Sequence, residues 1–81
     1  MPRVTELFAF VIEDRGPEDE GVPAILTDRG MLPLMGADWE RVEGLRPHAQ
    51  RLATQFGKPI RLLRFRGLEE VEVLLPEGEN K

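Results

Sequence analysis

The sequence predicts an α+β domain in which one antiparallel-rich sheet of four to five strands carries a helical layer on one face. Short apolar runs typical of strands fill the first half of the chain, and strand-like runs return after residue 60. Between them, apolar residues recur at helical spacing across residues 38–57. The predicted order of elements is therefore β-β-β-α-β-β. The chain has 81 residues, which is the size of a single small globular domain, so residues 1–81 are predicted to form one domain.

The first predicted strand is apolar on both of its faces. Residues 7–12 form an unbroken apolar run of strand-forming residues that ends at two acidic residues. Alternate side chains of a strand point to opposite sides, which predicts two apolar sets: Phe8, Phe10 and Ile12 on one side, and Leu7, Ala9 and Val11 on the other. Such a strand is normally central in its sheet. Because one helical stripe covers only one face, the other face predicts contact with a second copy, in a homodimer or a higher oligomer. The alternative is that the hairpin or the tail of the same chain covers it.

Turn chemistry dominates the next part of the chain. Residues 13–21 combine five acidic residues with one arginine, glycine and proline, which predicts an acidic loop. Residues 22–27 and 31–35 then predict two strands of a hairpin, because Gly30 between them suits a tight turn. Each of these strands contains a proline, which cannot donate a hydrogen bond, so we expect edge or strand-end positions for both.

A helix is predicted between Asp38 and Gly57. Asp38 suits the N-cap, and Gly57 with Pro59 forms a stop signal. One apolar stripe runs along this segment and predicts the core face of the helix: Trp39, Val42, Leu45, Ala49, Leu52 and Phe56. Gly44 and Pro47 allow either two helices with a break between them or one kinked helix. The phase of the stripe does not decide between these alternatives, and the sequence favours the break.

Two strands are predicted after the helix. Residues 60–65 are rich in strand-forming residues. Residues 69–75 alternate glutamate with valine, which predicts a last strand, although the apolar residues of this segment also fit one face of a helix. Residues 76–81 are polar and predict a flexible tail.

The charges are segregated along the chain. Residues 41–66 contain seven of the eleven Lys and Arg residues and one acid, Glu43, so this window has a net charge of +6, while the whole chain has a net charge of −4. A surface with two signs is a plausible docking determinant, because complementary fields steer encounters. The candidate contact residues for a protein partner or a nucleic acid all lie in this window: Arg46, His48, Lys58, Arg61, Arg64 and Arg66.

Three interpretations of the basic window stay open at this point. Its arginines pair with glutamates of neighbouring strands (Glu6, Glu13, Glu70 or Glu72), as surface charges in sheets often do. Alternatively, residues 41–66 contact the phosphates of a nucleic acid, although the acidic chain has few aromatic residues beside its arginines. In the third interpretation, the window of one copy meets the acidic loop of another copy or of a partner protein.

The residue types disfavour an enzyme. The chain has no Ser, Cys or Tyr and one His, so it lacks the usual nucleophiles and a zinc ligand set. It has neither G-x-G-x-x-G nor a Walker loop, and the acids at 18–20 lack the spacing of a calcium loop. We therefore predict no catalytic residues, no cofactor and no metal. An enzyme that uses two carboxylates stays a third hypothesis, behind the two binding functions.

These observations predict a small non-catalytic module for protein–protein interaction, which self-associates. The alternative is a nucleic-acid-binding regulator that uses residues 41–66. We expect a cytoplasmic protein without a membrane contact, because the longest apolar run, residues 7–12, is far shorter than a membrane span. Nine arginines against two lysines and a single asparagine also suit a heat-adapted bacterial source.

Overall fold

A computed structural model describes residues 3–78 of the chain. This part contains β1 (Glu6–Gly16), β2 (Asp19–Gly21), β3 (Ala24–Thr27), β4 (Gly30–Pro33), β5 (Met35–Gly36), α1 (Trp39–Phe56) and β6 (Ile60–Arg66). A four-stranded antiparallel sheet, a second sheet of two strands and one helix form the fold. The α+β class with a helix on one face of the sheet is therefore confirmed, with the observed order β-β-β-β-β-α-β.

β1 is the central strand of the main sheet, as predicted. Along one edge it pairs with β6 over seven positions, from Glu6 opposite Arg66 to Ile12 opposite Ile60. Along the other edge it pairs with β5 in its first half, at Phe8 and Ala9, and with β2 in its second half. All of these pairings are antiparallel. β1 is longer than predicted, because it continues through the acidic residues as far as Gly16.

Residues 13–21, predicted as an acidic loop, form a β-hairpin instead. β1 and β2 pair from Ile12 opposite Gly21 to Gly16 opposite Asp19, with a shift of register between Glu13 and Gly16. All three residues of β2 are exposed to solvent. Their charged side chains therefore cost no desolvation, and a composition typical of loops is compatible with a short edge strand.

β3 and β4 form the predicted hairpin, but in a separate two-stranded sheet. Gly30 has a φ of 106°, and the Thr27 hydroxyl donates to its carbonyl oxygen (2.8 Å). Leu34, the residue after β4, joins this hairpin to the main sheet. Its amide donates to the Pro23 carbonyl (3.0 Å), and its carbonyl accepts from the Phe10 amide (3.0 Å). The expectation that both hairpin strands belong to the main sheet is therefore wrong.

α1 is one uninterrupted helix, so the predicted break near residues 44–47 is wrong. The Asp38 carboxylate caps its first turn by accepting from the Arg41 amide (2.8 Å). Gly57 ends it in the left-handed region, and the Lys58 amide donates back to the Ala53 carbonyl (3.2 Å). Gly44 and Pro47 are both exposed, so neither disturbs the buried face, whose packing holds the helix together.

The core lies between α1 and one face of the sheet. Its buried members come from β1, the residue after β4, and the middle of the helix: Phe8, Phe10, Leu34, Val42, Leu45 and Ala49. Partly buried residues of β3, β4 and β6 complete it. The two ends of the helical stripe lie outside this core, since Trp39 is 48% and Phe56 is 56% exposed. The predicted core position of Trp39 is therefore wrong.

Residues 69–75 form neither the predicted strand nor the alternative helix. Every residue from 68 to 78 is exposed. We call residues 68–78 the C-terminal segment. The predicted tail, residues 76–81, begins in this segment, and residues 79–81 lie outside the part of the chain that the structure describes.

Substitution of alanine for either of two glycines, Gly44 and Gly57, should change the free energy of unfolding in opposite directions. Gly44→Ala places a methyl group in open space on the exposed helix surface, so we expect a gain of about 0.5–1 kcal/mol in the free energy of unfolding. Gly57→Ala forces a side chain into the left-handed region (φ 64°) and should cost about 1–2 kcal/mol. Urea unfolding followed by Trp39 fluorescence measures both; equal unfolding midpoints for the two variants would contradict the assigned helix end.

Candidate interaction site

The six predicted contact residues do not converge on one patch. Arg46 and His48 lie on α1, Lys58 lies in the link after it, and the three arginines lie on β6. The register places Arg61 on the same face as Val11, whereas the other two arginines of β6 share the face of the core. The basic window is therefore divided among the helix and both faces of the sheet.

Arg61 forms an ion pair with Glu20 of β2. Its guanidinium donates to both carboxylate oxygens, with distances of 2.6 Å from Nη2 to Oε1 and 3.2 Å from Nε to Oε2. Because β6 and β2 flank β1 on opposite edges, this pair spans β1. It joins the acidic hairpin of the chain to its own basic window.

Arg64 and Arg66 share the carboxylate of Glu6 on β1. The distances from their Nε atoms to Glu6 Oε2 are 3.6 Å and 3.2 Å. The guanidinium of Arg64 also lies 5.2 Å from the centre of the Phe8 ring, within the range of a cation–π contact. Sequence reasoning proposed glutamates of neighbouring strands as partners for the β6 arginines. The structure confirms this for Glu6, whereas the partner of Arg61 is Glu20, which was not among the glutamates proposed.

Arg46 lies at the first turns of α1, between an acid and an aromatic ring. Its Nη2 donates to Glu43 Oε1 (3.0 Å), and its guanidinium lies 5.9 Å from the centre of the Trp39 ring. The edge of Trp39 packs against Phe8, with ring centres 5.4 Å apart. The hydrogen bond from Arg46 is the main cause that lowers the pKa of Glu43; desolvation opposes it, and the attraction of the cation adds to the lowering.

His48 and Lys58 contact neighbouring groups of their own chain. Arg51 donates to His48 Nδ1 (2.8 Å), which acts as the acceptor because a guanidinium has no lone pair to offer. Lys58 Nζ donates to two backbone carbonyls at the end of β1, those of Glu13 (3.2 Å) and Asp14 (2.8 Å). Lys58 therefore ties the end of the helix to the acidic hairpin rather than projecting freely into solvent.

The second face of the sheet, opposite α1, is shielded by side chains of the strands themselves. Ala9 and Val11 are 3% and 8% exposed. The register places Leu63 and Met35 on either side of Ala9, and the ion pair across β1 lies on the face of Val11. The predicted reason for self-association, an uncovered second face of β1, is therefore wrong. Self-association itself stays a prediction.

Much of the exposed apolar surface lies beyond β6, in a place that sequence reasoning missed; the β3–β4 hairpin also exposes Leu26 (79%) and Met31 (64%). Phe65, near the end of β6, is 47% exposed. Five apolar side chains of the C-terminal segment are also exposed: Leu68, Val71, Val73, Leu74 and Leu75. Val71 and Leu74 reach 85% and 83% exposure, so they contact almost nothing. The signal in the sequence was the mixed period of this segment, which fitted a strand and a helix equally.

No three His, Asp or Glu residues among residues 3–78 lie close enough together to hold a metal ion.

A pocket of about 250 Å³ lies between the end of β1 and the end of α1, lined mainly by Ile12, Val22, Pro23, Phe56 and Lys58. Two acids, Glu13 and Asp14, also line this pocket, at the point where the register of β1 shifts. Within the described residues, no helix is both long and apolar enough to span a bilayer.

No protein-family model, curated protein or solved structure matches this chain. The function is therefore argued from the residues of the chain alone.

The pair of Glu43 and Arg46 predicts a measurable titration. In an NMR titration, we expect the carboxyl group of Glu43 to protonate at a lower pH than in Arg46→Gln, because the substitution removes the hydrogen bond and the nearby cation. Since the pKa is lowered in the folded state, the pair stabilises α1 above the ordinary pKa of a glutamate and loses this effect as the pH falls through the lowered value.

Arg51→Gln is the matched control for this titration, since it removes a cation of the same helix that contacts His48 and not Glu43. An unchanged Glu43 midpoint in Arg46→Gln would contradict the pair.

Proposed function

We propose that this chain is a small interaction module that self-associates and has no catalytic activity of its own. The observation that carries this proposal is the exposed apolar surface of the C-terminal segment and Phe65. Exposed contiguous apolar patches are uncommon on monomeric proteins, because covering them with a partner removes them from water. A second copy of the chain has the same exposed apolar surface, so the two surfaces can cover each other, and it is present wherever the first copy is.

The charges support a contact that is mainly apolar. The three arginines of β6 already have carboxylate partners in their own chain, and so does Arg46. Exposed ion pairs of this kind contribute little free energy, roughly 0–1 kcal/mol each. In this proposal, they set the orientation of the partner, while the apolar side chains supply the affinity.

Self-association predicts a sedimentation coefficient that rises with protein concentration in the micromolar range, towards that of a species heavier than the 9.2 kDa single chain. Burial of one Val or Leu side chain contributes about 1.5–3 kcal/mol, so Val71→Asp or Leu74→Asp should weaken association about tenfold or more. Leu26→Asp is the matched control, because Leu26 is 79% exposed on the separate hairpin. A full-length chain that stays monomeric at every concentration contradicts the proposal.

A second candidate function, binding of single-stranded nucleic acid, is favoured by one observation. Trp39 is half-exposed, and the guanidinium of Arg46 lies over its ring. The Trp39 ring packs against Phe8, and the guanidinium of Arg64 lies over the Phe8 ring. A half-exposed aromatic ring beside a cation is the kind of platform on which nucleic-acid bases stack. Glu6 and Glu43 already neutralise these arginines, however, so this function ranks second.

The second function predicts that a labelled single-stranded oligonucleotide binds at low salt and is released as the salt concentration rises. Stacking contributes about 1–3 kcal/mol per base, so Trp39→Ala should weaken binding about tenfold. Phe56→Ala, which removes an exposed aromatic ring at the other end of the same helix, should leave binding unchanged. Absence of any anisotropy change at low salt removes nucleic acid from consideration.

The cytoplasmic location and the heat-adapted source stay predictions from composition.

A further inference from the structure

The outer edge of β6 is an open strand edge. Within residues 3–78, β6 pairs with β1 alone, over its whole length of seven residues. Alternate residues of such a strand point their amide and carbonyl groups away from the sheet, and these groups are ready to pair with another extended segment.

A groove lies beside this edge, between β6 and α1. It has a volume of about 130 Å³, and polar and apolar groups share its lining: the polar side chains are those of Arg46 and Gln50, and the apolar ones are Phe10, Ala49, Ala53, Ile60 and Leu62. The helix presents small alanines here, and the two residues of β6 stay partly exposed. A further strand next to β6 would place every second side chain into this groove.

Residues 69–75 of the C-terminal segment have the pattern of that missing strand. Alternation gives them one face with a single acid and three apolar residues, Glu69, Val71, Val73 and Leu75, and a second face with Glu70, Glu72 and Leu74. Valine at alternate positions favours an extended conformation. All seven residues are exposed, so their apolar side chains gain nothing from the rest of their own chain.

The two strands are complementary in an antiparallel register. When Glu69 lies opposite Arg66, the same face of the pair brings together Val71 with Arg64, Val73 with Leu62, and Leu75 with Ile60. This register forms one charge pair next to apolar pairs that close the groove. It is also the register in which Glu70 and Glu72 face away from the core, where they stay hydrated.

The segment does not fold onto β6 of its own chain. Gly67 has a φ of 71°, and the chain beyond it leaves the body of the protein. The radius of gyration is 15.7 Å, compared with about 12 Å for a compact domain of this length. In one chain, therefore, the outer edge of β6 has no neighbouring strand and residues 69–75 are exposed. An exchange of these segments between two copies would pair the edge and bury the segment at the same time.

We propose that residues 69–75 of one copy add as an antiparallel strand to the β6 edge of a second copy, with Val71, Val73 and Leu75 over the groove. Each copy gives one segment and receives one, which closes the assembly as a two-fold dimer. This inference rests on the self-association proposed above and names the segment and the edge that form it.

Disulfide trapping tests the location of the segment. The chain has no cysteine, so each introduced thiol is unique. We expect a mixture of Arg64→Cys and Val71→Cys chains, distinguished by a tag, to form the mixed disulfide under mild oxidation. The control mixture pairs Val71→Cys with Leu26→Cys, a position away from β6 that is more exposed than Arg64. The mixed disulfide should exceed the control yield about tenfold; equal yields overturn the inference, and so does an intrachain disulfide in the doubly substituted chain without a mixed disulfide.

Proline substitution separates this inference from the broader proposal. Val73→Pro removes a backbone donor within the added strand and should abolish association in sedimentation, whereas Glu77→Pro, outside residues 69–75, should leave it unchanged. If Val73→Pro associates as tightly as the parent chain, strand exchange is overturned and self-association stands. If the unsubstituted full-length chain is monomeric, both are overturned.

Discussion

The pairing of β1 on both of its edges is the constraint on which the rest of the structure depends. β1 supplies Phe8 and Phe10 to the core and holds β6 on one edge and β5 and β2 on the other. A strand that is apolar on both faces is stable in water only between neighbours, because its edges and both of its faces must be covered. The other strands of the main sheet therefore take their position and register from β1.

A single helix covers the sheet, and this limit explains which surfaces stay open. The buried stripe of α1 packs over Phe8, Phe10 and Leu34, close to the middle of the sheet and the hairpin that Leu34 anchors. The side chains of α1 that face β6 include two alanines, Ala49 and Ala53, and a groove remains between the helix and the strand. Within residues 3–78 no further helix or strand fills that space, and the open edge and the exposed C-terminal segment occur in the same part of the molecule.

The basic window shows how far a site can be predicted from sequence. Counting charges identified residues 41–66 as distinct, and the alternation of strand β6 then places Arg61 on a different face from Arg64. Among the acceptors, Glu6 was one of four glutamates that the sequence suggested, whereas Glu20, 41 residues from Arg61, was not suggested because it lay in a predicted loop. Such partners depend on which strands become neighbours, and local patterns in the sequence carry no information about that.

The sequence by itself determined the fold class, the central position of β1, the turn of the β3–β4 hairpin and both ends of α1. Each of these follows from local physics, namely apolar period, capping side chains and the freedom of glycine at Gly30 and Gly57. Only the tertiary structure decided that α1 continues past Pro47, that residues 13–21 pair as a hairpin, and that residues 69–75 form no strand. In these cases local preferences are weak or divided, and contacts between distant residues, or their absence, determine the conformation.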